Sequence, residues 1–408
     1  MEPHNPTSIV PVGANALPGA ADVRRWLLTE GRQLRSPGRV LEALSEKALK
    51  IGVQLKRASL QLRILHPQYA GRSYNWWRDE GWHREDHVHR PQYREDYRQS
   101  PVFHIHEGSG PLRCRLFVDE ALARFPVLAD FRLRGITDYL AFPLTMGDGM
   151  TEAVSWCSDR PEGFTEAELA TLAELAPALS AVLELDILRE LSRTLLDTYI
   201  GRMTGGRVLE GSIARGDRDT LRAVIWYCDL RDFTRLSEQE PPANLLALLD
   251  DWFERVVGPV RVHGGEVLKF MGDGMLAIFP IGEGQDEATV CSAALAAARD
   301  THHRAAGLAS PAGREVSYGL ALGLGDVVYG NVGAPDRLDF TVVGAEVNRT
   351  SRIEELCRPL RRPVLVSAGF AAHVPDAVEQ VAEVELRGVG GRHRIFGIRG
   401  LVFDDPDR

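Results

Sequence analysis

The sequence predicts an α+β protein built in two parts, and three observations predict it. Beyond residue 220, apolar runs of strand length alternate with helical stretches in the order strand, helix, hairpin, helix, hairpin, helix, which describes helices on a mostly antiparallel sheet. Ahead of that segment, Leu60, Leu62 and Ile64 alternate with other residues on a strand, and residues 137–157 read as two strands around the turn Gly147-Asp-Gly149. Between the parts, a three/four-residue apolar spacing persists to about Tyr199. A hydrophobic fraction of 44% and a charged fraction of 26% over 408 residues suit two or three folded domains.

In chain order, residues 1–20 are rich in Pro, Gly and Ala and lack a basic stretch before an apolar core. They read as a disordered leader and not a secretory signal. Residues 21–56 carry helical patterning (Val23, Trp26, Leu27, then Val40, Leu41, Leu44, Ala48, Ile51), and a strand follows over 58–65. Residues 74–106 are aromatic and charged and hold five of the twelve histidines. His87 and His89 are two apart, as are His104 and His106, so on strands each pair would share a face open to Zn²⁺ or Fe. The crowding Arg, Asp and Glu residues equally fit a polar, partly exposed strand. Trp76, Trp77 and Trp82 fit either a ligand pocket or a core. Thr165 followed by Glu168 is a capping box opening a long helix. On that helix Val182, Leu185, Leu188, Leu191 and Leu195 form a stripe suited to a partner chain, or to an ordinary amphipathic packing. Gly201, Gly205 and Gly206 are expected to break it.

The second half opens with 221–228, a nearly continuous apolar run that reads as a buried central strand. A helix follows over 236–257, interrupted at Pro241-Pro242. Next come a hairpin with Gly272-Asp-Gly274 at its tip and an Ala-rich helix over 286–306. A second hairpin is expected to pair 316–324 with 327–332 across Gly325-Asp326. A helix over 345–357 and strands near 363–366, 379–387 and 393–398 complete the domain.

Composition narrows the function. No apolar run reaches the roughly 18 residues of a membrane span, and five scattered cysteines without metal-type spacing suit reduced thiols in a cytoplasmic protein. A net charge of -9 opposes non-specific nucleic-acid binding. Of the 48 basic Lys and Arg residues only Lys47, Lys50, Lys56 and Lys269 are lysine. Arginine serves the surface of this chain, so the lone lysine beyond residue 56 marks its position.

Two acids close strand ends in the second half: Asp229 after the buried strand, and Asp273 at the hairpin tip. If those strands are neighbours the carboxylates converge, a pairing suited to Mg²⁺, which keeps waters and takes phosphate oxygens. Alone, an Asp at a strand end is ordinarily a cap or turn residue. Three segments change that reading: Cys228-Asp-Leu-Arg-Asp-Phe-Thr-Arg-Leu-Ser-Glu238, Leu268-Lys-Phe-Met-Gly-Asp-Gly-Met-Leu-Ala-Ile-Phe279, and Arg337-Leu-Asp-Phe-Thr-Val-Val-Gly-Ala-Glu-Val-Asn-Arg-Thr-Ser-Arg-Ile-Glu354. Together, in this order and spacing, they resemble the catalytic domain of class III nucleotidyl cyclases over about residues 220–402.

The resemblance implies a ferredoxin-like fold and a homodimer with active sites at the interface. It implies that Asp229 and Asp273 hold two Mg²⁺ ions, with Mn²⁺ as the alternative. Lys269 and Asp339 would read the base, Asn348 and Arg352 would act on the ribose and α-phosphate, and Phe233 and Thr234 would lie on the phosphate loop. Asp232 stands where the family often has Gly. A lysine donating to N1 and an aspartate accepting from N6 fit adenine. Guanine reverses that edge, and relatives making cyclic GMP typically carry Glu and Cys there. ATP is therefore the expected substrate, with a guanylyl cyclase and a non-catalytic nucleotide-sensing homologue as alternatives. Phe142-Pro-Leu144 and Asp159-Arg-Pro-Glu-Gly-Phe-Thr-Glu-Ala-Glu-Leu169 resemble the last third of a GAF domain. This implies a GAF-like regulatory domain over 21–186, with another α+β sensor such as a PAS-like fold as the alternative, and a helical linker over 187–219.

Overall fold

The structure, a computed structural model, describes residues 15–89, 91–212, 214, 216, 218–334 and 336–402, apart from the side chains of 91–94. Most of the expected leader, residues 1–14, lies outside the described residues. The chain divides into two compact units, Met1–Leu195 and Leu196–Arg408.

The first unit begins with α1 (Ala20–Thr29) and α2 (Pro37–Lys50), followed by β1 (Arg57–Arg63), β2 (Tyr69–Trp77) and β3 (Gly81–Val88). Short helices α3 (Pro91–Arg98) and α4 (Pro101–His106), strand β4 (Leu112–Arg115) and helices α5 (Asp119–Arg124) and α6 (Ala129–Leu133) come next. The hairpin β5 (Asp138–Thr145) and β6 (Thr151–Ser158) then leads into the long helix α7 (Glu166–Tyr199). The strands form one antiparallel sheet in the order β3-β2-β1-β6-β5-β4. Period-two alternation sorts its faces. Leu60, Phe142 and Trp156 face a core shared with α1, α2 and α7, whereas Trp77, Tyr139 and Cys157 join a second core with Ile105 of α4. The capping box forms as expected, with Thr165 N donating to Glu168 Oε2 at 2.6 Å and Glu168 N to Thr165 Oγ1 at 3.3 Å. On α7, Val182 is buried but Leu185, Leu188 and Leu195 are 40%, 49% and 37% exposed.

The second unit starts with α8 (Arg202–Leu209) and β7 (Arg218–Leu230). There follow α9 (Phe233–Gln239), α10 (Pro242–Val262), β8 (Glu266–Met271), β9 (Gly274–Ile281), α11 (Glu287–Ala305), β10 (Tyr318–Ala334), β11 (Arg337–Val343) and α12 (Ala345–Glu354). Strand β12 (Val364–Ser367), α13 (Ala368–Ala371), β13 (Val378–Leu386) and β14 (Val389–Ile398) close it. The sheet order is β13-β14-β12-β10-β7-β9-β8, with β11 on β10. Its β10-β7-β9-β8 part, numbered by first appearance, runs four-one-three-two, the ferredoxin-like arrangement. Val224, Trp226 and Cys228 of β7 enter the core with α10 and α11. Ala223 and Ile225 face the opposite side, where Val347 of α12 packs. Alternation places Asp229 on that second face.

Three expectations change. Residues 316–332 do not fold into a hairpin across Gly325-Asp326: β10 is one strand, paired with β7 from Tyr318 to Gly330. Gly323 and Gly325 serve the helix above them, since a Cβ on Gly323 would stand 2.1 Å from Thr350 Oγ1 and one on Gly325 2.8 Å from Glu346 Cβ. The hairpin is β10 with β11, which brings Asp339 opposite Val332. Gly205 and Gly206 lie inside α8, so only Gly201, at φ 87°, interrupts the helical run. His104 and His106 sit on helix α4, where two positions diverge by about 200°. Trp76 and Trp77 are core residues on opposite faces of β2.

The histidines have separate partners: His87 Nε2 with Ser73 Oγ at 2.9 Å, His89 Nε2 with His66 O at 3.1 Å, and His106 Nδ1 with the Tyr97 hydroxyl at 2.6 Å. Among the described residues no group of three or more His, Cys, Asp or Glu is arranged to hold a metal. All five cysteines are free and buried. Among the described residues no helix is long and apolar enough to cross a membrane.

Candidate functional site

Asp229 reaches the site because β7 runs its apolar stretch through the sheet centre and ends there. Asp273 reaches it because β8 and β9 turn through Gly272, at φ 68°, beside β7. Trp252 Nε1, from α10, donates to the Asp273 carbonyl at 3.0 Å and pins the turn. The two residues line one cleft, and the Asp273 carboxyl acts on the charge of Asp229. Burial, and then the adjacent Asp273 carboxyl, push Asp229 well above the usual carboxylate range. Its Oδ1 is buried with no donor facing it. A Cβ on Gly274 would approach that oxygen to 3.2 Å, so the glycine keeps the space open.

The pair opens into a cleft of about 420 Å³ lined by Asp229, Leu230, Asp232, Phe233, Thr234, Arg235, Glu238 and Asp273. Phe233 and Thr234 are the first residues of α9. Asp232 has φ 55°, the left-handed region that glycine adopts without strain. Its Oδ1 accepts from Arg358 Nη1 at 3.0 Å, which engages the carboxylate. The Arg231 amide is already committed to Ser317 O at 2.8 Å, so this loop offers at most the amides of residues 232–234.

Lys269 and Asp339 come together from β8 and β11, with Lys269 Nζ 3.4 Å from Asp339 Oδ2. Both stay partly open to solvent, at 32% and 64% side-chain exposure. Asn348 and Arg352 lie one turn apart on α12, whose buried side is formed by Glu346, Thr350, Ile353 and Glu354. Asn348 is exposed, and Arg352 is paired with Glu355. Neither the Lys269–Asp339 pair nor the α12 pair lines the carboxylate cleft.

The sequence reading missed the surroundings of Asp229. Arg231 Nη2 lies 2.7 Å from Glu354 Oε1 and donates to the Glu354 carbonyl at 2.9 Å. Glu354 is buried, and burial raises it to about 7 although Arg231 opposes the shift. The available signal was periodicity: Thr350, Ile353, Glu354 and Cys357 share one helical face, which makes Glu354 an acid on a core stripe.

Two acids at neighbouring strand ends, an open cleft beside them and a ferredoxin-like sheet define this α+β domain. Residues 219–396 match the model of the adenylate and guanylate cyclase catalytic domain. An uncharacterized protein of Mycobacterium tuberculosis is 34% identical over 207 residues, covering 49% of this chain and 37% of its own length. Adenylate cyclase 1 of Rhizobium meliloti is 26% identical over 272 residues, covering 64% of this chain and 40% of its own. The chain thus spans about two fifths of these curated relatives. Among solved structures, a bacterial light-regulated adenylyl cyclase is similar at 19% identity and TM-score 0.47, over 56% of this chain and 67% of that one. A guanylyl cyclase is similar at 27% identity and TM-score 0.38, over 47% and 98%.

The site suits the divalent ion this family implies. A shielded carboxylate oxygen without a donor and a second carboxyl beside it form a hard, anionic oxygen pair. Two carboxylates leave most of the coordination shell to phosphate oxygens and water.

Proposed function

We propose that this chain is an adenylyl cyclase that converts ATP to 3′,5′-cyclic AMP and pyrophosphate as a homodimer. The observation that carries the choice of base is the Lys269–Asp339 pair, an ammonium and a carboxylate side by side. Facing adenine, Lys269 donates to N1 and Asp339 accepts from the N6 amino group. Guanine would set donor against donor and acceptor against acceptor, a mismatch that costs orders of magnitude in rate. Asp229 and Asp273 would hold Mg²⁺ or Mn²⁺. When bound, such an ion lowers the pKa of the 3′-hydroxyl and neutralises the triphosphate. Asn348 orients the ribose so that its 3′-oxygen lies near the α-phosphorus. Arg352 turns its planar fork from Glu355 to the charge that develops on the phosphorus as pyrophosphate leaves.

The separation of the carboxylate cleft from the other two pairs favours sites shared between two copies of the chain. Each copy would supply Asp229 and Asp273 to one site and Lys269, Asp339, Asn348 and Arg352 to the other. The exposed Leu185, Leu188 and Leu195 on α7 provide a further apolar stripe for the pairing. The first unit would be the regulatory domain, and its antiparallel sheet with helices on both faces suits the GAF-like reading of 21–186. Its signal would reach the catalytic domain through the linker at 187–219. A Gly201→Pro variant with unchanged activity and regulation would reject that route.

The deciding experiment measures Mg²⁺- or Mn²⁺-dependent pyrophosphate release from ATP and GTP in parallel, with Asp273→Ala as control. A wild type no faster than the control rejects catalysis and leaves a nucleotide-binding homologue. Faster turnover of GTP rejects the base assignment.

A further inference from the structure

Arg231 and Glu354 form a buried ion pair beside Asp229, and the fold makes room for it. Gly319 is the register partner of Asp229 on the neighbouring strand. A Cβ on Gly319 would lie 1.9 Å from Arg231 Nη2 and 2.2 Å from Glu354 Oε1, so the ion pair occupies the space above this glycine. The side chains are only 16% and 5% exposed. Although Arg231 Nη2 and Glu354 Oε1 are 2.7 Å apart, Glu354 Oε1 accepts no aligned hydrogen bond, and Arg231 Nε has no acceptor. With Asp229 Oδ1, three buried polar atoms in this neighbourhood lack partners. Such a cluster is held by charge more than by hydrogen bonding.

The pair also enters the charge balance of the site, because Gly319, whose missing Cβ makes room for it, is the register partner of Asp229. The four side chains carry three potential negative charges and one positive charge. Arg231 is thus the local counter-cation, and it follows Asp229 by two residues, just past the end of β7. If Glu354 did not hold it, the guanidinium would be free to turn onto Asp229 and occupy the position a divalent ion needs.

We propose that Arg231 and Glu354 are positioning residues that set the net charge of the Asp229–Asp273 site and keep the guanidinium off the metal. The inference rests on the reading that these aspartates bind a divalent ion. Glu354 also ends α12, the helix bearing Asn348 and Arg352, so one ion pair fixes both the carboxylate loop and the transition-state helix of a chain.

The test is Mn²⁺ binding to the full-length protein without nucleotide, read by electron paramagnetic resonance of free Mn²⁺ at pH 8. Wild type, Glu354→Gln, Arg231→Gln, the double variant and Asp273→Ala are compared, each checked for folding by circular dichroism. Outer residues that orient metal ligands typically change affinity about 10–100-fold. Glu354→Gln should weaken Mn²⁺ binding at least about tenfold by freeing Arg231. Arg231→Gln, which leaves three acids without their cation, should tighten it, and the double variant should return toward wild type. Both single variants weakening binding, with the double variant no better, would show a purely structural pair and overturn the proposal. So would no change in either. Asp273→Ala binding Mn²⁺ as well as wild type would overturn the metal reading itself, and this inference with it. Loss of binding in Asp273→Ala with same-sign effects in the other variants would overturn this inference alone.

Discussion

Replacing Lys269 by Glu and Asp339 by Cys together tests the base assignment most directly. In the free protein the pair is separated by 3.4 Å and partly exposed, 32% for Lys269 and 64% for Asp339. Solvent screening limits such a pair to about 0–1 kcal/mol of folding stability, so the melting temperature should move by only a few degrees. Bound to adenine the same groups would each make a hydrogen bond with one charged partner, worth about 1.5–3 kcal/mol. Losing both removes about 3–6 kcal/mol of preference, which lowers the ATP-to-GTP ratio of kcat/KM by roughly 10²–10⁴. The assay is initial-rate pyrophosphate release with each nucleotide, with the cyclic product identified by chromatography. A ratio unchanged within about threefold, in a variant that melts like wild type, would refute the reasoning: a shift that small is below 1 kcal/mol and too little for two charged contacts.

Arg352→Ala should lower kcat by roughly 10²–10³, as loss of a transition-state charge contact does, with little change in KM or melting because Arg352 is paired only with the exposed Glu355; steady-state kinetics and thermal melts check both. Mixing inactive Asp273→Ala and Arg352→Ala proteins should restore activity, since half the dimers then carry one intact site of two, and recovery to about a quarter of wild type is the statistical expectation. No recovery after confirmed subunit exchange would reject shared sites. In the first unit, burial raises Glu152 to about 7 and lowers His106 to about 4, while Arg63 lies beside both. Between pH 4.5 and 7 the folded Glu152 retains a proton that the unfolded chain releases, so its contribution to stability falls as pH rises. His106 acts oppositely between pH 4 and 6.5, where the unfolded chain binds the extra proton. The stability of Glu152→Gln relative to wild type should therefore climb from pH 4.5 to 7, at up to about 1.4 kcal/mol per pH unit, and level off above; urea unfolding at stepped pH measures it.

What could be read from the sequence followed from local rules. The buried run 221–228, the Gly272-Asp-Gly274 turn and the Thr165–Glu168 capping box act over a few residues, and each forms where expected. Motif order identified Asp229, Asp273, Lys269 and Asp339, and the sheet brings them together as two pairs. The errors came where a distant element decides. Gly325-Asp326 looks like a turn in isolation, yet β7 pairs straight through it and α12 needs the missing Cβ. Gly205 and Gly206 look like breakers, yet Thr204 of the same helix hydrogen-bonds the Tyr329 hydroxyl at 2.7 Å, and α8 is held by tertiary contact.

The same distinction explains why Arg231 and Glu354 went unread. They are 123 residues apart, and nothing local in either segment requires the other. Only the register of β7 with β10 places Gly319 beside Asp229 and opens a space for a guanidinium and a carboxylate. Burying charges there would be unfavourable for folding alone, because desolvation can exceed the attraction of a pair. A folding role would be met as well by two apolar side chains. An acid held deep on a helix face and an arginine held off two aspartates make sense when the nearby carboxylates must be kept free for a cation. The cost falls on the stability of the second unit, and the return is a carboxylate pair ready to take one.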